Sequence, residues 1–157
     1  MPQEPSGDVQ RVADELEIRN LVARYSNAVA ARDEKAWAET WTADAVWKIG
    51  GSETVGRDQI VSTWLGLMDM FETVVQVGHS GEVDVQGDTA TGRWMLSELG
   101  WGRDGGASSH TVGLYEDTYR RTDAGWRFAE RRFNFLHMGP PDLSGRVFPH
   151  PSNRKKS

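Results

Sequence analysis

The sequence predicts an α+β domain in which helices collected at the front cover one face of an antiparallel sheet. Three observations lead there. Ile18, Leu21, Val22, Tyr25, Ala28 and Val29 recur every three or four positions, the stripe of an amphipathic helix. After Phe71 the period changes to two, with Thr73, Val75, Val77 and His79 on one strand face and Val74, Gln76 and Gly78 on the other. Short turn sequences then join the apolar segments: Gln86-Gly87-Asp88, residues 102–106, and Asp123-Ala124-Gly125. Such turns make hairpins, and hairpins pair antiparallel.

The elements follow in order. A first helix spans residues 8–32, with Asp8 as its N-cap, and a second spans 34–41, capped by Asp33, with Trp37 and Trp41 one turn apart. Residues 45–49 read as a strand ended by Gly50-Gly51. A third helix follows Gly56 and turns Ile60, Val61, Trp64, Leu65, Met68 and Phe71 to the core. Strands then cover 73–79, 83–85, 89–101, 109–122 and 126–135. All six prolines lie at the ends, so every N–H between Ser6 and Gly139 is free to join helices and ladders. The tail from Met138 is rich in Pro, Gly and Ser and ends Arg154-Lys155-Lys156-Ser157. One domain over residues 8–137 with terminal arms 1–7 and 138–157 is expected.

Composition narrows the function. The 157 residues are 38% hydrophobic and 26% charged, the balance of a folded soluble chain. Cys is absent, which removes disulfides, thiolate nucleophiles and Cys-bound metals. Eighteen Lys plus Arg against 23 Asp plus Glu give a net charge of −5, the wrong sign for gripping nucleic acid. No apolar run reaches the roughly 20 residues that span a bilayer, and Met1-Pro2-Gln3-Glu4-Pro5 lacks the basic start of a signal peptide. A cytoplasmic protein bound to neither membrane nor nucleic acid is expected. Seven Trp in a chain this short supply either a bulky core or an apolar pocket.

No contiguous catalytic motif is present, so chemistry must come from residues that the fold gathers. His79 shares a strand face with Val75 and Val77, where a ring needs a partner for its nitrogens. It is either a hydrogen-bonded core histidine or a proton-transfer group. Asp33, where the first two helices meet, is either a helix cap or the carboxylate partner of His79. Arg131 and Arg132 point to opposite faces of the last strand, so one of them meets the inner face and needs a carboxylate or a substrate oxygen. The four His lie far apart with no paired spacing, which argues against a metal.

Tyr25-Ser26-Asn27, Arg32-Asp33, and Trp41-Thr42-Ala43-Asp44-Ala45-Val46-Trp47 resemble the front half of SnoaL-like proteins of the nuclear transport factor 2-like superfamily. His79-Ser80-Gly81, Gly87-Asp88-Thr89-Ala90-Thr91-Gly92-Arg93, Tyr119-Arg120-Arg121 and Gly125-Trp126-Arg127-Phe128 resemble the back half. The resemblance runs over residues 13–135. Within the superfamily it points to the branch of scytalone dehydratase, hexachlorocyclohexane dehydrochlorinase and bile-acid dehydratase. It implies a curved antiparallel sheet wrapped with three helices into a cone around an apolar cavity. It also implies an Asp–His dyad at Asp33 and His79, with Arg131 at the position of a last-strand arginine. Two departures stand out: Ala28 falls where the dehydrochlorinase has a lysine, and residues 98–100 hold no second histidine of the scytalone dehydratase kind.

The expected reaction needs no cofactor. His79, oriented by Asp33, takes a proton from carbon. Arg131 or the Tyr25 hydroxyl steadies the developing oxyanion or leaving group. Trp47, Trp64, Met68 and Trp94 wall the pocket of a small hydrophobic, cyclic or polycyclic substrate. Loss of water or halide makes the protein a lyase; return of the proton elsewhere makes it an isomerase or cyclase. A non-catalytic ligand binder, or a packing subunit like the small subunits of ring-hydroxylating oxygenases, is the remaining alternative. A homodimer or homotrimer is expected through the open sheet face, with Tyr115, Tyr119, Trp126 and Phe128 as contacts.

Overall fold

The computed structural model describes residues 7–142 and 146. α1 (Gly7–Ala31) and α2 (Glu34–Ala38) precede the hairpin of β1 (Trp41–Ile49) and β2 (Ser52–Val55). Then come α3 (Arg57–Met68), β3 (Phe71–Gln86), β4 (Thr89–Gly102), β5 (Ser109–Thr122) and β6 (Gly125–Gly139). The six strands form one sheet in the order β2-β1-β6-β5-β4-β3. The three helices pack against one face of this sheet, as an α+β cone requires.

The observed sheet departs from the expected one in several places. β1 lies beside β6 in parallel, with Trp47 opposite Arg131, so the sheet is mixed rather than wholly antiparallel. A parallel neighbour needs a long crossover, and here the whole chain from β2 to β5 supplies it. Gly50 and Gly51, both at positive φ (59° and 80°), make the two-residue turn into β2, a strand too short and polar to show in the sequence. Trp41 opens β1 instead of ending α2, and Phe71 opens β3 instead of ending α3. The stretches 73–79 and 83–85 belong to one strand, β3, with a register shift between Gly78 and Gly81. Asp8 sits inside the first turn of α1 rather than before it. Met138 and Gly139 close β6; most of the expected C-terminal arm and residues 1–6 fall outside the described residues.

The core gathers nearly all the large aromatics. Trp37, Trp41, Trp126, Tyr25, Tyr119 and Phe128 are fully buried, and Trp37 stacks on Trp64 with ring centroids 4.5 Å apart. Tyr115, Tyr119, Trp126 and Phe128 are thus inside, under the helices, and cannot form a contact between copies. The sheet's other face carries Glu82, Arg93, Glu116 and Arg132 on neighbouring strands. Asp14 ties α1 to this frame. Its carboxylate takes two bonds from Arg121 (2.8 and 2.7 Å) and one from the Trp126 indole (3.2 Å). Those contacts hold its pKa below the ordinary aspartate value, Arg121 contributing most. Among the described residues no helix is long and apolar enough to cross a membrane.

Candidate active site

A small, partly open hollow of about 80 Å³ lies between α1, α3 and the inner face of the sheet. Tyr25 and Val29 come from α1, Trp64 and Met68 from α3, Trp47 from β1, Val74 and Gln76 from β3, Glu98 from β4 and Tyr115 from β5. Each strand residue is there by parity. Glu98 shares its side of β4 with Ala90, Trp94 and Leu96, all buried. Gln76 lies opposite Glu98 in the β3–β4 register, on the side of β3 that also carries buried Val74. The cavity therefore has aromatic and aliphatic walls and one polar edge.

Among the described residues, Glu98 is the only ionisable carboxyl on that wall. Gln76 Nε2 donates to its Oε2 at 2.7 Å, and Ser26 Oγ stands 3.4 Å from Gln76 Oε1, which fixes the amide's orientation. Glu98 keeps accessible surface while protein surrounds it, as a group on a cavity wall does. Burial raises its pKa above the ordinary glutamate value, and the Gln76 hydrogen bond opposes that only in part. Tyr25 and Tyr115 stand nearby with rings 6.2 Å apart, edge to face. Burial pushes both phenols up, Tyr115 furthest, and their hydroxyls hydrogen-bond each other, so both stay protonated and one O–H of the pair is already engaged.

Beneath the tyrosines the interior closes. Arg131 is 1% exposed; its Nε and Nη2 donate to the two Asp117 oxygens at 2.9 and 3.2 Å. Its guanidinium lies 3.6 Å from the Tyr115 ring centre and 4.3 Å from those of Tyr25 and Phe128. The Tyr119 hydroxyl donates to Asp117 at 2.7 Å and accepts from the Trp94 indole at 2.8 Å. Burial pushes the Arg131 pKa down, but Asp117 and the tyrosines outweigh it, so the guanidinium stays charged. Burial pushes the Asp117 carboxyl up and Arg131 pulls it back.

The structure sorts the expected site residues into two groups. Tyr25, Trp47, Trp64 and Met68 line the cavity. Asp33 and His79 do not come together. Asp33 caps α2, its Oδ1 accepting from the Ala36 N–H at 3.0 Å, and it opens onto a wide groove beside Arg24 and Arg127. His79 is exposed on the outer face of the sheet, and its Nε2 lies 2.8 Å from Ser97 Oγ. The strand parity holds, since His79 does follow Val75 and Val77; but that face is the outer one, where Val77 is 46% exposed. Arg131 does turn inward, and the carboxylate it needs is Asp117, so it stands behind the tyrosines and off the cavity wall. Trp94 packs at the closed end over Gly81, where an added Cβ would come within 2.1 Å of its ring. Glu98 and Gln76 were missed, although an acid on the same strand face as Trp94 and Leu96 is the kind of signal that singled out His79.

Helices on one side of a mixed, twisted sheet, with an ion pair buried at one end and a small hollow at the other, define an α+β fold of one layer of helices on one sheet. The particular family is shown by comparison: SnoaL-like domains match residues 10–132, and the chain belongs to that family. It is 27% identical over 145 residues to the gamma-hexachlorocyclohexane dehydrochlorinase of Sphingobium indicum, covering 85% of this chain and 93% of that enzyme. The crystal structure of LinA superposes with a TM-score of 0.79 at 26% identity, over 92% of this chain and 99% of that one. A nuclear transport factor 2-like protein with a cystatin-like fold from Novosphingobium aromaticivorans reaches 0.70 at 30% identity, over 83% and 87% of the two chains.

Proposed function

We propose that this protein is a cofactor-independent lyase or isomerase in which Glu98 exchanges a proton with a carbon of a small apolar substrate. The observation that carries this reading is the placement of one carboxyl, raised in pKa by burial, on the wall of an otherwise aromatic and aliphatic cavity. A general base works best when its pKa approaches the operating pH, and desolvation moves Glu98 in that direction. Gln76 holds one oxygen, which leaves Oε1 for the reacting carbon. In elimination, Oε1 takes the proton, the C–H electron pair becomes the new double bond, and halide or water leaves the neighbouring carbon. Departing water takes its second proton from a hydroxyl donor at the site. In isomerisation, Glu98 returns the same proton to another carbon.

The hydroxyl hydrogen that the Tyr25–Tyr115 pair does not use between its own members would be offered to an enolate oxygen or to the leaving group. Kinship to a dehydrochlorinase favours elimination as the outcome. Cavity size favours a compact substrate: about 80 Å³ is below the roughly 150 Å³ void that holds benzene, so a polycyclic ring system does not fit without rim movement.

Hydrogen–deuterium exchange at the α-carbon of acetone, a ketone small enough for the hollow, in heavy water and followed by NMR, reads the proton transfer without needing a leaving group. Wild type should accelerate exchange. Glu98→Gln should lose on the order of 10²–10⁴ of that acceleration, while His79→Ala keeps it. Full activity in Glu98→Gln would refute the role of Glu98.

A further inference from the structure

Two arginines converge on the backbone oxygen of Phe71, a residue that lines the cavity. Arg32, just past α1, and Arg103, just past β4, both donate through Nη2 to the Phe71 carbonyl, Arg103 at 3.1 Å. Phe71 opens β3 and lines the cavity, and its ring lies against Gly100, where an added Cβ would come within 2.7 Å of it. The two guanidiniums thus share a neutral acceptor a single residue away from the apolar hollow.

Like charges sharing one acceptor repel, and neither arginine has a carboxylate in ion-pair range among the described residues. Arg32 shows the consequence: burial and the neighbouring Arg103 lower its pKa, and the more distant Asp69 offsets that only in part. Arg32 is also held at φ +54°, a left-handed conformation usual for Gly or Asn and strained for a long side chain. A helix terminus would be easier with either of those residues. What an arginine adds is a fork of donors beside a cavity-lining residue, and most of those donors are unused by Phe71.

We propose that Arg32 and Arg103 form an anion-binding rim that takes the carboxylate of a small substrate whose apolar part enters the cavity. A carboxylate there replaces repulsion between two cations with charge-assisted hydrogen bonds to both. The distance along β4 from Gly102, beside the rim, to Glu98 is four residues, about 13 Å, so the anion docks apart from the carboxyl and does not confront it. The inference rests on the cavity being the ligand site; it does not depend on which group moves the proton.

Butyrate and its neutral counterpart butyramide test it, with binding read from the Trp47 and Trp64 indole N–H resonances of the full chain. Butyrate should bind about tenfold more tightly than butyramide. Arg103→Gln and Arg32→Asn should each weaken butyrate about fivefold to tenfold and leave butyramide unchanged; asparagine tolerates the left-handed backbone at position 32. Arg93→Gln, on the outer face of the sheet, should change neither. Equal binding of the two probes, no binding of either, or unaltered butyrate affinity in both rim variants overturns the proposal. Because the readout is binding, a failure of Glu98 as the base would show in the exchange assay and leave this result untouched.

Discussion

Two carboxyls on neighbouring strands of the sheet, Asp117 and Glu98, have surroundings that could hardly differ more. Asp117 at the closed end has an arginine fork on both oxygens and a tyrosine hydroxyl besides. Glu98 at the hollow end has one amide on one oxygen. Both are pushed up by burial, but only Asp117 has a cation in contact to oppose it. Asp117 is an element of structure: both of its oxygens are held by protein donors. Glu98 keeps an unclaimed oxygen on a cavity wall, and an unclaimed oxygen is what a reaction needs. The difference also explains why Arg131, the most conspicuous inward charge in the sequence, does not itself reach the substrate space.

The comparison can be broken first at the closed end. Asp117→Ala leaves Arg131 charged and unpaired in the core, and denaturant unfolding should show a loss of about 3–5 kcal/mol. Joint replacement, Asp117→Leu with Arg131→Met, removes both charges and should recover most of that loss. A double variant no more stable than Asp117→Ala would mean that the ion pair does more than satisfy itself.

The α1 anchor is next in size. Asp14→Ala removes the acceptor for Arg121 and the Trp126 indole and should cost about 2–3 kcal/mol at neutral pH. Since the folded-state pKa of Asp14 is lowered, its contribution is present above the ordinary value of 3.8 and is lost as pH falls through the folded value. The stability gap between wild type and Asp14→Asn, followed by urea unfolding across acid pH, should therefore close on acidification.

Glu98 runs the other way. Its folded pKa is raised, so wild type loses stability as pH rises from the ordinary value of 4.5 through the folded one. Glu98→Gln should match wild type at low pH and be slightly more stable at neutral pH, while losing proton exchange. Smallest of all is His79→Ala, an exposed site, where unfolding should move by no more than about 0.5 kcal/mol.

Much of the architecture was legible in local periodicity. The stripe from Ile18 to Val29, the cap at Asp33 and the alternation along β4 and β5 each reflect one element and its own packing face. The pairing of β1 with β6 was not, because two segments some 80 residues apart leave no mark in either local pattern. The site was legible in its walls, Tyr25, Trp47, Trp64 and Met68, and misleading in its chemistry. A hollow inverts the usual rule for strands. On β3 the cavity side carries Gln76, which looks like a solvent residue, whereas the outer side carries Val75, Val77 and His79, which look like core. Parity tells which residues share a face; it does not tell which face is inside. A helix cap and a catalytic carboxylate likewise look the same as a bare Asp before Glu-Lys-Ala-Trp, and at Asp33 the structure shows the cap, with Oδ1 accepting from Ala36.

Carboxyl ¹³C NMR of the intact protein, with Glu98 assigned by comparison with Glu98→Gln, tests the central claim most directly. The Glu98 signal should titrate above the ordinary glutamate value of 4.5, and its midpoint should rise further in Gln76→Leu, where the opposing hydrogen bond is gone. A Glu98 that titrates at or below that value is a solvated or ion-paired acid, and it could not be the proton carrier of a dry cavity.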